Sequence, residues 1–190
     1  MKKAPEENSL KKYAAFLRGI NVGGHSVIKM AELRTAFQSL GFRNVKTVLA
    51  SGNVLFEAPE ENTTVLSLQI SRGLAQALMR DITVIVQPVD ALLALVARQP
   101  FTGIDIAAGA RPIVTFIADG LKDPDVGDLP VQEGFRILSV SGGTICSVSY
   151  DRYGVDTSAA MGLIEKTFGR QITTRSWDTI LRLLKASDNA

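Results

Sequence analysis

From Tyr13 to Pro88 the hydrophobic pattern runs strand, helix, strand, strand, helix, strand, and few folds accept that order. Tyr13 to Arg18 is a short apolar run suited to a buried strand. Met30, Leu33, Phe37 and Leu40 recur at the steps of an amphipathic helix, and Gly41 supplies its stop. Phe42 to Leu49 and Asn53 to Glu57 read as two strands joined tightly at Ser51 and Gly52, a hairpin. Leu66, Ile70, Leu74 and Leu78 mark a second helix, with Asn62 or Thr63 as its N-cap. Ile82 to Gln87, β-branched and bounded by Pro88, closes the series. Right-handed crossovers leave few ways to pack this order, and the split βαβ, or ferredoxin-like, plait is the one it suggests.

Past Pro88 the pattern changes. Asp90 can cap a helix through Arg98, which Pro100 ends. Ile113 to Ala118 reads as a strand, and Asp119 to Gly134 as an acidic surface loop. Phe135 to Val140 and Thr144 to Tyr150 form a hairpin through Gly142 and Gly143. A helix through Met161, Ile164 and Phe168, a short strand at Ile172 to Thr174 and a helix from Trp177 to Lys185 follow. The expected class is α+β, with two ferredoxin-like (alpha-beta plait) lobes, the second diverged. Residues 1–12 form a flexible tail, 13–88 the N-terminal lobe and 89–190 the C-terminal α+β lobe.

Composition removes several functions. The chain has 190 residues with a single His, a single Cys and a single Trp. One Cys excludes an intramolecular disulfide framework, and one His beside it argues against a zinc site, so no metal is expected. No apolar run approaches the roughly 18 residues of a membrane span, and no signal-peptide core follows Lys2 and Lys3. A soluble, cytoplasmic protein is expected. Lys and Arg number 21 against 19 Asp and Glu, a balance too even to form an electrostatic footprint for nucleic acid.

Several short motifs point to a family. They are Leu17-Arg-Gly-Ile-Asn-Val-Gly-Gly24, Met30-Ala-Glu-Leu33, Ser51-Gly-Asn-Val54 with Phe56, and Thr174-Arg-Ser-Trp-Asp-Thr179. Together they resemble the bacterial domain-of-unknown-function family numbered 1697, over nearly the whole chain from Tyr13 to about Leu184. The resemblance implies a compact α+β protein with two ferredoxin-like halves, and it brings no reaction with it. Ser176 and Asp178 flank Trp177 where the family often carries Asn.

The candidate site follows from topology. In a split βαβ unit the third strand lies beside the first and antiparallel to it. The end of the first strand (Arg18, Gly19, Asn21) therefore meets the start of the third (Ser51, Gly52, Asn53). Gly19, Gly23, Gly24 and Gly52 keep that edge free of side-chain bulk, and a helix N-terminus follows the loop. Arg18 can fork onto a carboxylate or phosphate, while Asn21, Ser51 and Asn53 add neutral hydrogen bonds. The plainer alternative is that the asparagines satisfy loop backbone and the glycines permit turns. The spacing fits neither a Walker A loop nor the dinucleotide fingerprint, and no cofactor is implied.

Arg175 either closes a site shared between the halves or bridges them structurally, with Ser176 capping the last helix. Trp177 is expected in the core, His25 as a solvated loop residue and Cys146 as a small buried apolar one. Asp119, Asp123, Asp125 and Asp128 do not follow calcium-loop spacing. Three functions remain open. The leading one is binding of a small anionic or phosphate-bearing ligand at the 18–25 loop and 51–53 turn. The others are a single-stranded RNA-binding module, whose paired stacking aromatics are missing from the third strand, and an enzyme of unrecognised type.

Overall fold

The computed structural model describes residues 10–21, 27–59, 61–106, 109–118, 129 and 132–188. The chain divides into two compact units. One runs to Asp90 and includes the end of the chain from Ala186; the other is Ala91–Lys185.

The first unit is the expected plait. Its elements are β1 (Leu10–Leu17), α1 (Met30–Ser39), β2 (Arg43–Val48), β3 (Asn53–Pro59), α2 (Thr63–Leu78) and β4 (Val84–Pro88). The sheet order is β2-β3-β1-β4, with every neighbouring pair antiparallel. Alternate residues of the strands, among them Tyr13, Ala15, Leu17, Val54, Phe56 and Val86, face α1 and α2 and form the core. Phe56 sits at its centre, with Phe42, Tyr13 and Phe37 ring centroids 4.6, 5.6 and 5.7 Å away. Burying such a side chain is worth about 2–3 kcal/mol. Ala14, Phe16, Leu55 and Ile85, on the opposite face, are buried as well. A strand buried on both faces needs no polar alternation, which is why Tyr13 to Leu17 reads as one apolar run.

β1 begins at Leu10, inside the stretch expected to be tail. Leu10, Lys11 and Lys12 pair with Pro59, Ala58 and Glu57 because β3 runs two residues past Glu57 and offers them partners. Their exposed, polar character had hidden that pairing in the sequence. The Lys12 ammonium also donates to the Ser187 carbonyl at 2.9 Å. Asn62 caps α2 as expected, accepting from the Thr64 amide at 2.8 Å.

A helix, α3 (Val89–Ala97), leads into the second unit, which holds β5 (Ala110–Ile117), β6 (Phe135–Ser141), β7 (Thr144–Tyr150), α4 (Thr157–Phe168), β8 (Ile172–Ser176) and α5 (Trp177–Asp188). Its sheet order, β6-β7-β5-β8, repeats that of the first. Ile113, Ile117, Ile145 and Ile172 pack with Ala160 and Ile164 of α4. On that same face the hydroxyls of Thr115 and Thr174 share a hydrogen bond of 2.8 Å, whereas those of Ser147 and Ser149 are buried and unbonded. Among the described residues no helix is long and apolar enough to cross a membrane.

Candidate functional site

The two segments that topology was expected to join do meet. The Leu17 amide donates to the Gly52 carbonyl at 2.8 Å, fastening the end of β1 to the β2–β3 turn. Asn21 makes the second fastening. Its Nδ2 donates to the carbonyls of Ala50 (2.8 Å) and Ile28 (3.1 Å), and its Oδ1 accepts from the Ile28 amide (2.7 Å). One carboxamide thus ties the start of the loop, its end and the neighbouring turn. Asn21 stands at φ 56°, a region that Asn tolerates through local hydrogen bonds of this kind.

Asn53 closes the turn from inside. It is fully buried, and its Nδ2 donates to the Val48 carbonyl (3.0 Å) and the Ser51 hydroxyl (3.1 Å). These bonds commit both asparagine side chains to the loop backbone, the plainer of the two roles considered for them.

The glycines divide. Gly19, at φ 66°, has open space where a side chain would begin, as expected for a free edge. Gly52, at φ 80°, does not. A Cβ there would lie 2.8 Å from Cγ1 of Ile20 and 3.0 Å from Cβ of Leu17. The expectation that Gly52 leaves room for a ligand is therefore corrected: Ile20 and Leu17 fill that room, and glycine is required so that they can. Gly23, Gly24 and His25 lie outside the described residues, as do Asp119, Asp123, Asp125 and Asp128.

Two features of this edge went unread in the sequence. Leu49, in the β2–β3 turn, has φ 60° and is 42% exposed. Nothing in a leucine signals left-handed backbone. The other is the start of α1, where Lys29 occupies the N-cap position and, among the described residues, no side chain caps the helix. That was legible, because Lys stands where Ser, Thr, Asp or Asn usually serves. The caps of α2 and α4, Asn62 and Asp156, make the contrast.

The sequence model of a family described as "Protein of unknown function (DUF1697)" matches residues 10–139. The chain belongs to this family. Among solved structures, this DUF1697 chain is similar to the conserved bacterial protein SP0830 from Streptococcus pneumoniae. The TM-score is 0.71 at 23% identity, over 93% of this chain and 98% of that one. At that identity the likeness speaks for the fold, two plait-like units, and for nothing finer. No curated protein matches the chain.

Arg175 belongs to the second unit of this DUF1697 chain. It is buried, and its Nη1 donates to Thr173 Oγ1 and the Thr174 carbonyl, both at 2.8 Å. Burial lowers its pKa to about 10, so it keeps its charge at neutral pH. Ser176 holds the first turn of α5 as expected, through Thr179 Oγ1 at 2.9 Å and the Thr179 amide at 3.3 Å. Cys146 is buried, and burial pushes its thiol above the ordinary 9.0, against smaller opposing effects of the Ser139 hydrogen bond and Arg98.

Trp177 departs from the core placement expected of it. It is only half-buried, because Ile180, Leu183 and Leu184 carry the buried stripe of α5 while Trp177 stands at the helix's first position.

Proposed function

We propose that this protein binds a small anionic or phosphate-bearing molecule at the edge where the β1 loop meets the β2–β3 turn. The observation that carries the reading is a concentration of left-handed backbone: Gly19 (φ 66°), Asn21 (φ 56°), Leu49 (φ 60°) and Gly52 (φ 80°) all lie there. For a residue such as Leu that conformation costs roughly 1–2 kcal/mol. Strain of this kind persists where surrounding contacts fix it, and it gathers at ligand sites.

The chemistry available there favours an anion. Among the described residues no side chain caps the first-turn amides of α1, and the positive end of a helix dipole attracts negative charge. Arg18, half-buried just after β1, and the exposed Lys29, just before α1, are the two cations of this edge. The RNA-binding alternative finds less support. The sheet face that such domains open to bases is here the face of Ala14, Phe16, Leu55 and Ile85, all buried.

Thermal melting in a titration with inorganic phosphate, then with phosphorylated metabolites at constant ionic strength, tests the reading. A bound ligand raises Tm by mass action. Arg18→Ala should abolish the rise and leave the ligand-free Tm nearly unchanged. The reading fails if phosphate compounds never raise Tm and Arg18→Ala instead costs stability on the order of 3–5 kcal/mol, the loss expected from breaking a buried ion pair.

A further inference from the structure

The second unit holds an apolar cleft that owes nothing to the glycine edge, and it arises from unequal strand lengths. β8 pairs with β5 only as far as Ser176 opposite Ile113, after which the chain turns into α5. β5 starts earlier, so Ala110, Arg111 and Pro112 overhang the end of β8. Between this overhang and the first turns of α5 lies a cavity of about 360 Å³, bordered also by Ile106 and Thr157.

Pro112 decides what the overhang accepts. The Ile117 amide points toward β7, bonding the Gly143 carbonyl, and the Ala118 amide points the other way, bonding the Gln171 carbonyl before β8. Alternate amides of a strand share a direction, so position 112 faces the β8 side. Proline has no N–H to give there, and an added peptide strand would find no donor at that point. Ala110 and Pro112 give the overhang an apolar surface beside Arg111, and Pro112 interrupts it as a pairing edge.

Trp177 and Leu181 of α5 form the facing wall. The Trp177 ring is held by Phe101, with centroids 5.0 Å apart and planes at 64°. Ile106 is 64% and Leu181 41% exposed. Single exposed apolar residues are ordinary, but these two join a half-buried tryptophan around one cavity, as binding surfaces do. Two polar groups of the rim are already engaged: Asp178 pairs with Arg182 at 2.7 Å, and the Ser176 hydroxyl with Thr179 at 2.9 Å.

We infer that this cleft binds a small planar aromatic molecule, of one or two rings, stacked on Trp177 against Pro112 and Leu181. Its volume is at the lower end of the range for ligand pockets, roughly 300–1,000 Å³. A flat ring on an indole gains aromatic contact beyond the area it buries, whereas a saturated ring of equal size gains only the area.

Trp177 is the chain's single tryptophan, so its fluorescence reads occupancy directly. With 4-nitrobenzyl alcohol, a planar contact quencher, quenching should saturate at one site while the excited-state lifetime stays unchanged. Leu181→Glu and Ile106→Glu alter exposed side chains and should preserve the far-ultraviolet circular dichroism. Each should raise the dissociation constant about tenfold, the effect of roughly 1.4 kcal/mol. Cyclohexylmethanol, similar in size but not flat, should compete about tenfold less well than benzyl alcohol. Linear quenching with a shortened lifetime overturns the site. So does saturable quenching that both folded variants leave unchanged. Equal competition by the two alcohols overturns the aromatic class.

Discussion

Replacing Asn21 separates a residue that holds the loop from one that holds a ligand. Asn21→Ala removes two donated bonds, to Ala50 and Ile28 carbonyls, and one accepted from the Ile28 amide. A typical bond of this kind is worth a net 0.5–1.5 kcal/mol, and the one to Ala50 is solvent-exposed, so the loss should be about 2–3 kcal/mol. Ile28 is 3% exposed, which leaves its amide with little access to compensating water. Asn21→Gly tolerates φ 56° without strain and loses the same bonds, so the difference between the two variants isolates the backbone cost. Asn21→Asp keeps the acceptor for the Ile28 amide but turns a carboxylate oxygen toward two carbonyls, and should be at least as damaging as Ala. Urea unfolding followed by circular dichroism reads the global loss. Hydrogen exchange at the Ile28 amide reads the local one and should accelerate in the Ala and Gly variants, which leave that amide without its acceptor. If Asn21→Ala stays within about 0.5 kcal/mol of the parent, with Ile28 exchange unchanged, the clasp assigned to Asn21 is wrong.

Gly19 and Gly52 should respond differently. Gly19→Ala meets empty space and should cost only the left-handed penalty of about 1–2 kcal/mol. Gly52→Ala adds a clash with Leu17 Cβ, which cannot swing away, and should cost about 2–5 kcal/mol; equal losses in denaturant melts would refute the packing account. Cys146 should react with a thiol reagent only on unfolding. Because burial raises its pKa, the folded state holds the thiol proton more tightly than the unfolded chain does. Its contribution is therefore complete below pH 9.0 and lost as pH rises through the folded value. Cys146→Ala should flatten that alkaline decline, measured by urea unfolding across the range.

The first plait was legible because each element carries a local signal that agrees with the global order. Met30, Leu33 and Phe37 mark a helix face, and Asn62 sits where a cap belongs. The ends were less legible, since strand length depends on what lies alongside: Leu10 to Lys12 are strand only because β3 reaches Pro59, and Ala110 to Pro112 only because β7 reaches Tyr150. Trp177 misled for a related reason. Its periodicity matched the stripe of α5, but periodicity cannot register that β8 stops at Ser176 and leaves the helix's first turn beside a gap.

The site shows the same limit at the level of single residues. Sequence and topology brought Arg18 to Asn21 beside Ser51 to Asn53, and backbone bonds confirm the meeting. They did not reveal how the polar groups divide their work. Asn21 and Asn53 point their amides at Ala50, Ile28 and Val48, because a loop and a turn with four left-handed residues between them have carbonyls that their own backbone amides cannot reach. What the edge can offer a ligand is therefore charge from Arg18 and Lys29 and the amides that begin α1. An anion answers all three features, whereas a neutral ligand dependent on carboxamide recognition would have to break the clasp to bind. If the edge binds an anion as proposed, the affinity rests on Arg18 and the architecture on Asn21, and their substitutions should fail in opposite ways.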